Sequence, residues 1–128
     1  MAPVIMLDTH VAIWLHTNAV SHLSRRALRA IEAHDLVVSP AVELELGYLH
    51  EFGRIRGPAS EVLSFLASNL GVTVAQIGFG PLCATAAGLT WTRDPFDRML
   101  AAHALNAGLP LLTKDGSIRA HLDLAFWD

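Results

Sequence analysis

Val4-Ile5-Met6-Leu7-Asp8 is the stretch that decides the fold: four consecutive apolar residues that end in an acid. A half-exposed strand alternates apolar and polar residues, whereas a strand covered on both faces is apolar throughout. Open parallel sheets bind ligands beyond the carboxyl ends of their strands, so Asp8 marks both the end of a buried strand and the edge of a candidate site. A second run, Leu109 to Thr113, leads in the same way to Lys114-Asp115. If the two strands are neighbours, their main chains lie about 4.8 Å apart and the two carboxylates can share a cation. Taken singly, each acid reads better as the cap of a following turn or helix.

Between these runs strand and helix signals alternate. Ser24 is placed to cap a helix to His34 with Ala27, Leu28 and Ile31 inward, and Leu36 to Ser39 is a second strand. Pro40 opens a helix to about Phe52. Gly57-Pro58 breaks the chain, and Val62, Leu63, Leu66 and Leu70 then recur at helical spacing before Gly71. Val72 to Ile77 reads as a third strand, Pro81 to Leu89 as a helix of small residues, and Asp94-Pro95 as the start of a helix ending near Gly108. Leu109 to Thr113 is the fourth strand and Leu122 to Trp127 a fifth at the sheet edge. The alternation predicts one α/β domain over residues 1–128 with a central parallel sheet.

Composition limits the alternatives. A chain of 128 residues, 52% hydrophobic and 16% charged, is globular and long enough for one core. The lone Cys83 excludes an internal disulfide or a multi-cysteine zinc site and suits a reducing cytosol. The first residues lack a basic leader, so no signal peptide is expected. The uncharged stretch Val72 to Trp91 is interrupted by Gln76, Pro81 and three glycines, which argues against a membrane span. The formal charge of −3 makes no general attraction for nucleic acid. Arg93, Arg98 and Lys114 nevertheless adjoin the acidic motifs, while Arg25, Arg26 and Arg29 form a separate cluster.

Among the acids, Asp94 falls at the N-cap of the helix that Pro95 opens, and Asp97 in its first turn. Asp94 is thereby assigned mainly to capping. Asp97 shares a stripe with Ala101 and Ala104, at the rim of a face packed on the sheet. It either stabilises the helix N-terminus or serves a site. In Glu43-Leu44-Glu45 only one glutamate can face inward. Glu45 aligns with Val42, Leu49 and Phe52, whereas Glu43 aligns with Gly47, His50 and Arg54, so Glu45 is the site candidate. Gathered together, Asp8, Glu45, Asp97 and Asp115 would repel one another unless protonated or balanced by a cation. All-oxygen donors select Mg²⁺ or Mn²⁺, and such an ion can activate water and stabilise charge on a phosphoryl oxygen while a nearby arginine or lysine holds the phosphate. Thr113 either orients that water or is an ordinary strand threonine with a satisfied hydroxyl. The seven histidines show no HExxH pair, and His10, His16 and His22 share no helix face.

Leu7-Asp8-Thr9-His10, Ser39-Pro40 with Glu45 six positions after the serine, Arg93-Asp94-Pro95-Phe96-Asp97-Arg98 and the segment Leu109 to Asp115 together resemble PIN-domain proteins. The nearest subgroup is the VapC-type toxins of toxin–antitoxin pairs. The resemblance spans nearly the whole chain. It implies a three-layer α/β/α sandwich with the first and fourth strands adjacent, and Mg²⁺- or Mn²⁺-dependent cleavage of RNA. The matching acids are Asp8, Glu45 and Asp97, with Asp115 as the fourth and Thr113, Asp94 and Arg98 as auxiliary residues. It also implies a cytoplasmic homodimer and a cognate antitoxin that inserts a C-terminal segment into the active-site groove. Thr92 stands where relatives often carry histidine, and His121 where an aromatic residue is common. Two alternatives stand beside this reading. One is a haloacid-dehalogenase-like phosphatase, whose second Asp would fall at His10; the other is a non-catalytic PIN-like module that binds RNA or protein.

Overall fold

The computed structural model describes residues 2–128. Its centre is a sheet of five strands, β1 (Val4–Leu7), β2 (Asp35–Val38), β3 (Thr73–Val74), β4 (Leu111–Leu112) and β5 (Ala125–Phe126), in the order β3-β2-β1-β4-β5. Every pairing is parallel. Seven α-helices connect and flank the strands: α1 (Thr9–His16), α2 (Arg25–Ala33), α3 (Pro40–Glu51), α4 (Ala59–Leu70), α5 (Phe79–Ala87), α6 (Pro95–Ala107) and α7 (Gly116–His121). The fold is an α/β sandwich, as the alternating signals predict.

The core explains the apolar runs. Successive strand side chains point to opposite faces, and Ile5, Met6 and Leu7 are each 0% exposed, so both faces of β1 are covered. Leu111 and Leu112 do the same in β4. Adjacent β1 and β4 form the point where strand order reverses, the usual place for a ligand crevice in such sheets.

Helix ends follow their local chemistry. Ser24, Ser39 and Asp94 each accept a backbone N–H at the start of α2, α3 and α6, and Gly71 and Gly108 close α4 and α6 with φ of +67° and +65°. In α2 the buried positions are Ala27 and Ala30, with Leu28 and Ile31 partly buried beside them.

Several boundaries differ from the sequence reading. The expected strand Val72 to Ile77 is reduced to Thr73–Val74, because β2 stops at Val38, where Ser39 turns the chain into α3, and the ladder has no partner strand to follow beyond Val74. The fourth and fifth strands likewise shorten to Leu111–Leu112 and Ala125–Phe126. The small-residue helix begins at Phe79, with Pro81 inside its first turn. Phe52 is not on the inner face of α3: the helix ends at Glu51, Phe52 is its C-cap, and its side chain is 76% exposed. No described helix is long and apolar enough to cross a membrane.

Candidate active site

Beyond the carboxyl ends of β1 and β4 lies a pocket of about 320 Å³ lined by Asp8, Glu45, Asp94, Asp97 and Asp115, together with Thr9, His10, Trp14, Leu100, Lys114 and Ile118. Each acid arrives by a different route. Asp8 directly follows β1 and caps α1, its Oδ1 accepting the Val11 N–H at 2.9 Å. Its Oδ2 accepts the hydroxyl of Thr113, which directly follows β4. Asp115 caps α7 through Oδ1 and the Ile118 N–H at 2.9 Å. Asp94 caps α6, accepting from Phe96 and Asp97 N–H at 2.8 and 3.2 Å. For Asp8, Asp94 and Asp115, capping and pocket lining are therefore compatible: one oxygen serves the helix while the group still faces the cavity.

Glu45 and Asp97 reach the pocket from helix sides rather than helix ends. Glu45 is half-buried and accepts the Thr9 hydroxyl at 2.5 Å, which ties α3 to the start of α1. Glu43, two positions earlier, is exposed. Asp97 is half-buried, one turn before the buried Leu100 and Ala101. A buried contact also joins the two helices that carry these acids: Ser39 Oγ, at the start of α3, lies 2.8 Å from Nδ1 of His103 on α6. Burial pushes the His103 pKa below its ordinary value, so the ring is neutral.

The electrostatics single out three of the five acids. Burial holds Asp8 above the usual carboxylate range, against the opposing hydrogen bonds from Thr113 and Val11. Burial likewise raises Glu45, with Asp94 and Asp8 adding to the rise and the Thr9 bond opposing it. Asp97 is pushed up to about 7, first by burial and then by the negative charges of Asp94, Asp115, Glu45 and Asp8. The ion pair among the described residues is Arg119–Asp128 at 3.3 Å, which involves no pocket carboxylate, so none of the pocket acids is ion-paired with a basic side chain.

Donor chemistry and unbalanced charge suit a hard divalent cation. The side chains do not yet converge, since among the described residues no three His, Cys, Asp or Glu groups stand close enough to hold an ion. The residues thus fit such an ion in kind.

The auxiliary residues divide. Thr113 is fully buried, donates its one proton to Asp8 and accepts the Asp115 N–H at 3.1 Å, so its hydroxyl is already engaged in joining the two strand-end acids. Arg98 turns its Nε to the Thr92 carbonyl at 2.8 Å and stays outside the pocket lining. Lys114 does line it. The sequence reading missed Thr9, His10 and Trp14 as pocket residues because it did not identify α1. That helix is apolar on most sides, from Val11 to Leu15, and lacks a period to recognise it by. The usable signal was the capping acid itself.

The family model of the PIN domain matches residues 5–121, which run from β1 through β4 and include the strand-end pocket; the chain belongs to that family. It is similar to Ribonuclease VapC22 of Mycobacterium tuberculosis (strain ATCC 25618 / H37Rv), with 39% identity over 121 residues and 91% of each chain covered. Among solved structures it resembles VapBC2 from Rickettsia felis bound to a DNA fragment from its promoter, with a TM-score of 0.66, 14% identity and 98% and 99% of the two chains covered. It also resembles a toxin–antitoxin complex from Klebsiella pneumoniae, with a TM-score of 0.65, 16% identity and 95% of each chain covered. These structural likenesses concern the fold. The phosphatase alternative falls with the family assignment.

Proposed function

We propose that this chain is a metal-dependent endoribonuclease, the toxin of a VapBC-type pair. The observation that carries the reading is Asp97, half-buried among four other carboxylates with its pKa pushed up to about 7 and no basic partner. A binding surface without catalysis has no need to gather like charges in this way. The similarity to a VapC ribonuclease over nine-tenths of the chain supports the same reading.

Asp8, Glu45, Asp97 and Asp115 would hold Mg²⁺ or Mn²⁺. When bound there, such an ion lowers the pKa of water and stabilises charge on a phosphoryl oxygen. The chain's own contributions are positional. Thr113 fixes Asp8, Thr9 fixes Glu45, and Lys114 at the pocket wall supplies a cation for a substrate phosphate. A cognate antitoxin would block the pocket by placing a basic side chain among the acids, and the exposed Leu44 and Tyr48 on α3 support a homodimer. A cytoplasmic setting suits the exposed free thiol of Cys83. The test is RNA cleavage across a Mg²⁺ and a Mn²⁺ series: activity should require the metal and disappear in Asp8→Asn. Cleavage that persists in EDTA would refute the reading.

A further inference from the structure

The wall of the pocket beside the acids is aromatic. His10 and Trp14 lie one turn apart on α1 and both line the cavity. Their rings are 6.0 Å apart and inclined at 46°. Trp14 is held in place from behind: His22 stacks on it at 5.0 Å and 10°, and Trp127 meets it edge-on at 6.0 Å. Lys114 Nζ stands 6.0 Å from the centre of the same ring. His10, in contrast, is exposed, and its ring makes no hydrogen bond to any described residue. The pocket thus has one face of carboxylates and one of propped aromatic surface with a cation at its edge.

We propose that this wall is a nucleobase subsite, in which an unpaired base next to the scissile phosphate stacks on the His10 ring against Trp14 while Lys114 takes the adjoining phosphate. The inference rests on the ribonuclease reading and adds to it the residues that receive the nucleotide. The acids repel the substrate backbone, so attraction must come from elsewhere, and the exposed His10 ring leaves a face open for stacking beside a Trp14 that its neighbours already hold. A duplex keeps its base faces covered by neighbouring pairs, so only a single-stranded or looped nucleotide presents the face this wall accepts. Stacking is tolerant of base identity, because every base offers a π face.

The test compares two labelled hexamers of equal charge, hexaadenylate and an abasic ribose-phosphate chain. Binding is measured by fluorescence anisotropy with Mg²⁺ in an Asp97→Asn background, so that the RNA is not consumed. His10→Ala should weaken hexaadenylate binding about fivefold or more and leave the abasic chain where it was. His10→Phe should restore hexaadenylate binding, because it keeps the aromatic face and removes the ring nitrogens. Lys114→Met should weaken both chains alike. An equal loss on both hexamers in His10→Ala, no loss at all, or no recovery in His10→Phe would overturn the subsite. If that happens while the unaltered chain still cleaves RNA, the ribonuclease reading stands. If the unaltered chain cleaves no RNA with either metal and binds neither hexamer, both readings fall.

Discussion

Two sides of α1 face two different cavities. One side gives His10 and Trp14, with Thr9 and the capping Asp8, to the acidic pocket of about 320 Å³. The other gives Ile13, with His16 and Thr17 at the helix end, to a larger cavity of about 510 Å³, shared with Arg54, Ile55, Arg56 and Val62. The larger space is the less informative one. Its arginines are exposed and keep their charges in water, where charge costs little, and its floor is apolar. In the smaller space carboxylates are pressed together at the edge of the core, and among the described residues none of them is held in an ion pair. A fold tolerates that arrangement only weakly unless something binds to relieve it. Charge under strain marks the site, and volume does not.

Breaking this contrast should be easiest by substitution. Asp97→Asn and Asp8→Asn should each lower RNA cleavage at least about a hundredfold, whereas Arg56→Ala in the larger cavity should leave it unchanged. Rates measured at saturating Mg²⁺ decide the point, and equal losses at the two cavities would dissolve the distinction. Both acidic variants should remain folded by circular dichroism, since each is nearly isosteric with the original.

Metal supplies the next largest effect. An ion that binds only the folded chain should stabilise it by about 2.7 kcal/mol at a hundredfold excess over its Kd. Thermal unfolding should therefore shift upward with Mg²⁺ or Mn²⁺ in the natural chain and hardly at all in Asp8→Asn/Asp97→Asn. Sharing of the ion by Asp8 and Asp97 would be disproved by a double variant that still responds fully.

The two glutamates of α3 sharpen the comparison within a single turn. Glu45 is half-buried and bonded to Thr9, whereas Glu43 is exposed. Glu45→Gln should cut cleavage about tenfold, and Glu43→Gln should leave it within experimental error. The opposite ranking would mean that α3 presents its other side to the substrate.

The last contrast is the dependence of metal-free stability on pH. Asp97 binds its proton more tightly folded than unfolded, with the value rising from 3.8 to about 7. Its favourable contribution is therefore complete below about pH 4 and lost as pH rises through 7. Denaturant midpoints in EDTA should show this decline superimposed on the titration of the other acids. The Asp97→Asn variant should show a shallower fall across the same window, and an unchanged slope would indicate that Asp97 does not titrate there.

Local chemistry was readable from the chain. The apolar run before Asp8 implied a strand buried on both faces, and Asp94-Pro95 implied both a helix start and which aspartate caps it. Those features depend on a few adjacent residues. Strand lengths depended instead on distant partners: β3 ends at Val74 because its partner β2 ends at Val38. α1 was illegible for a different reason, since a helix covered on most sides shows no period. That omission concealed the Thr9–Glu45 bond and the His10–Trp14 wall together. The Ser39–His103 contact joins residues 64 positions apart and left no trace in either local pattern.

That contact gives two of the pocket acids a shared anchor. Glu45 lies six residues after Ser39, and Asp97 six residues before His103, so each acid sits at the end of a lever about 9 Å long measured from the pinned point. The arms are equal. The buried serine and histidine therefore act as a common datum: whatever shifts one helix along its axis relative to the other at that bond shifts its acid relative to the other acid by the same amount.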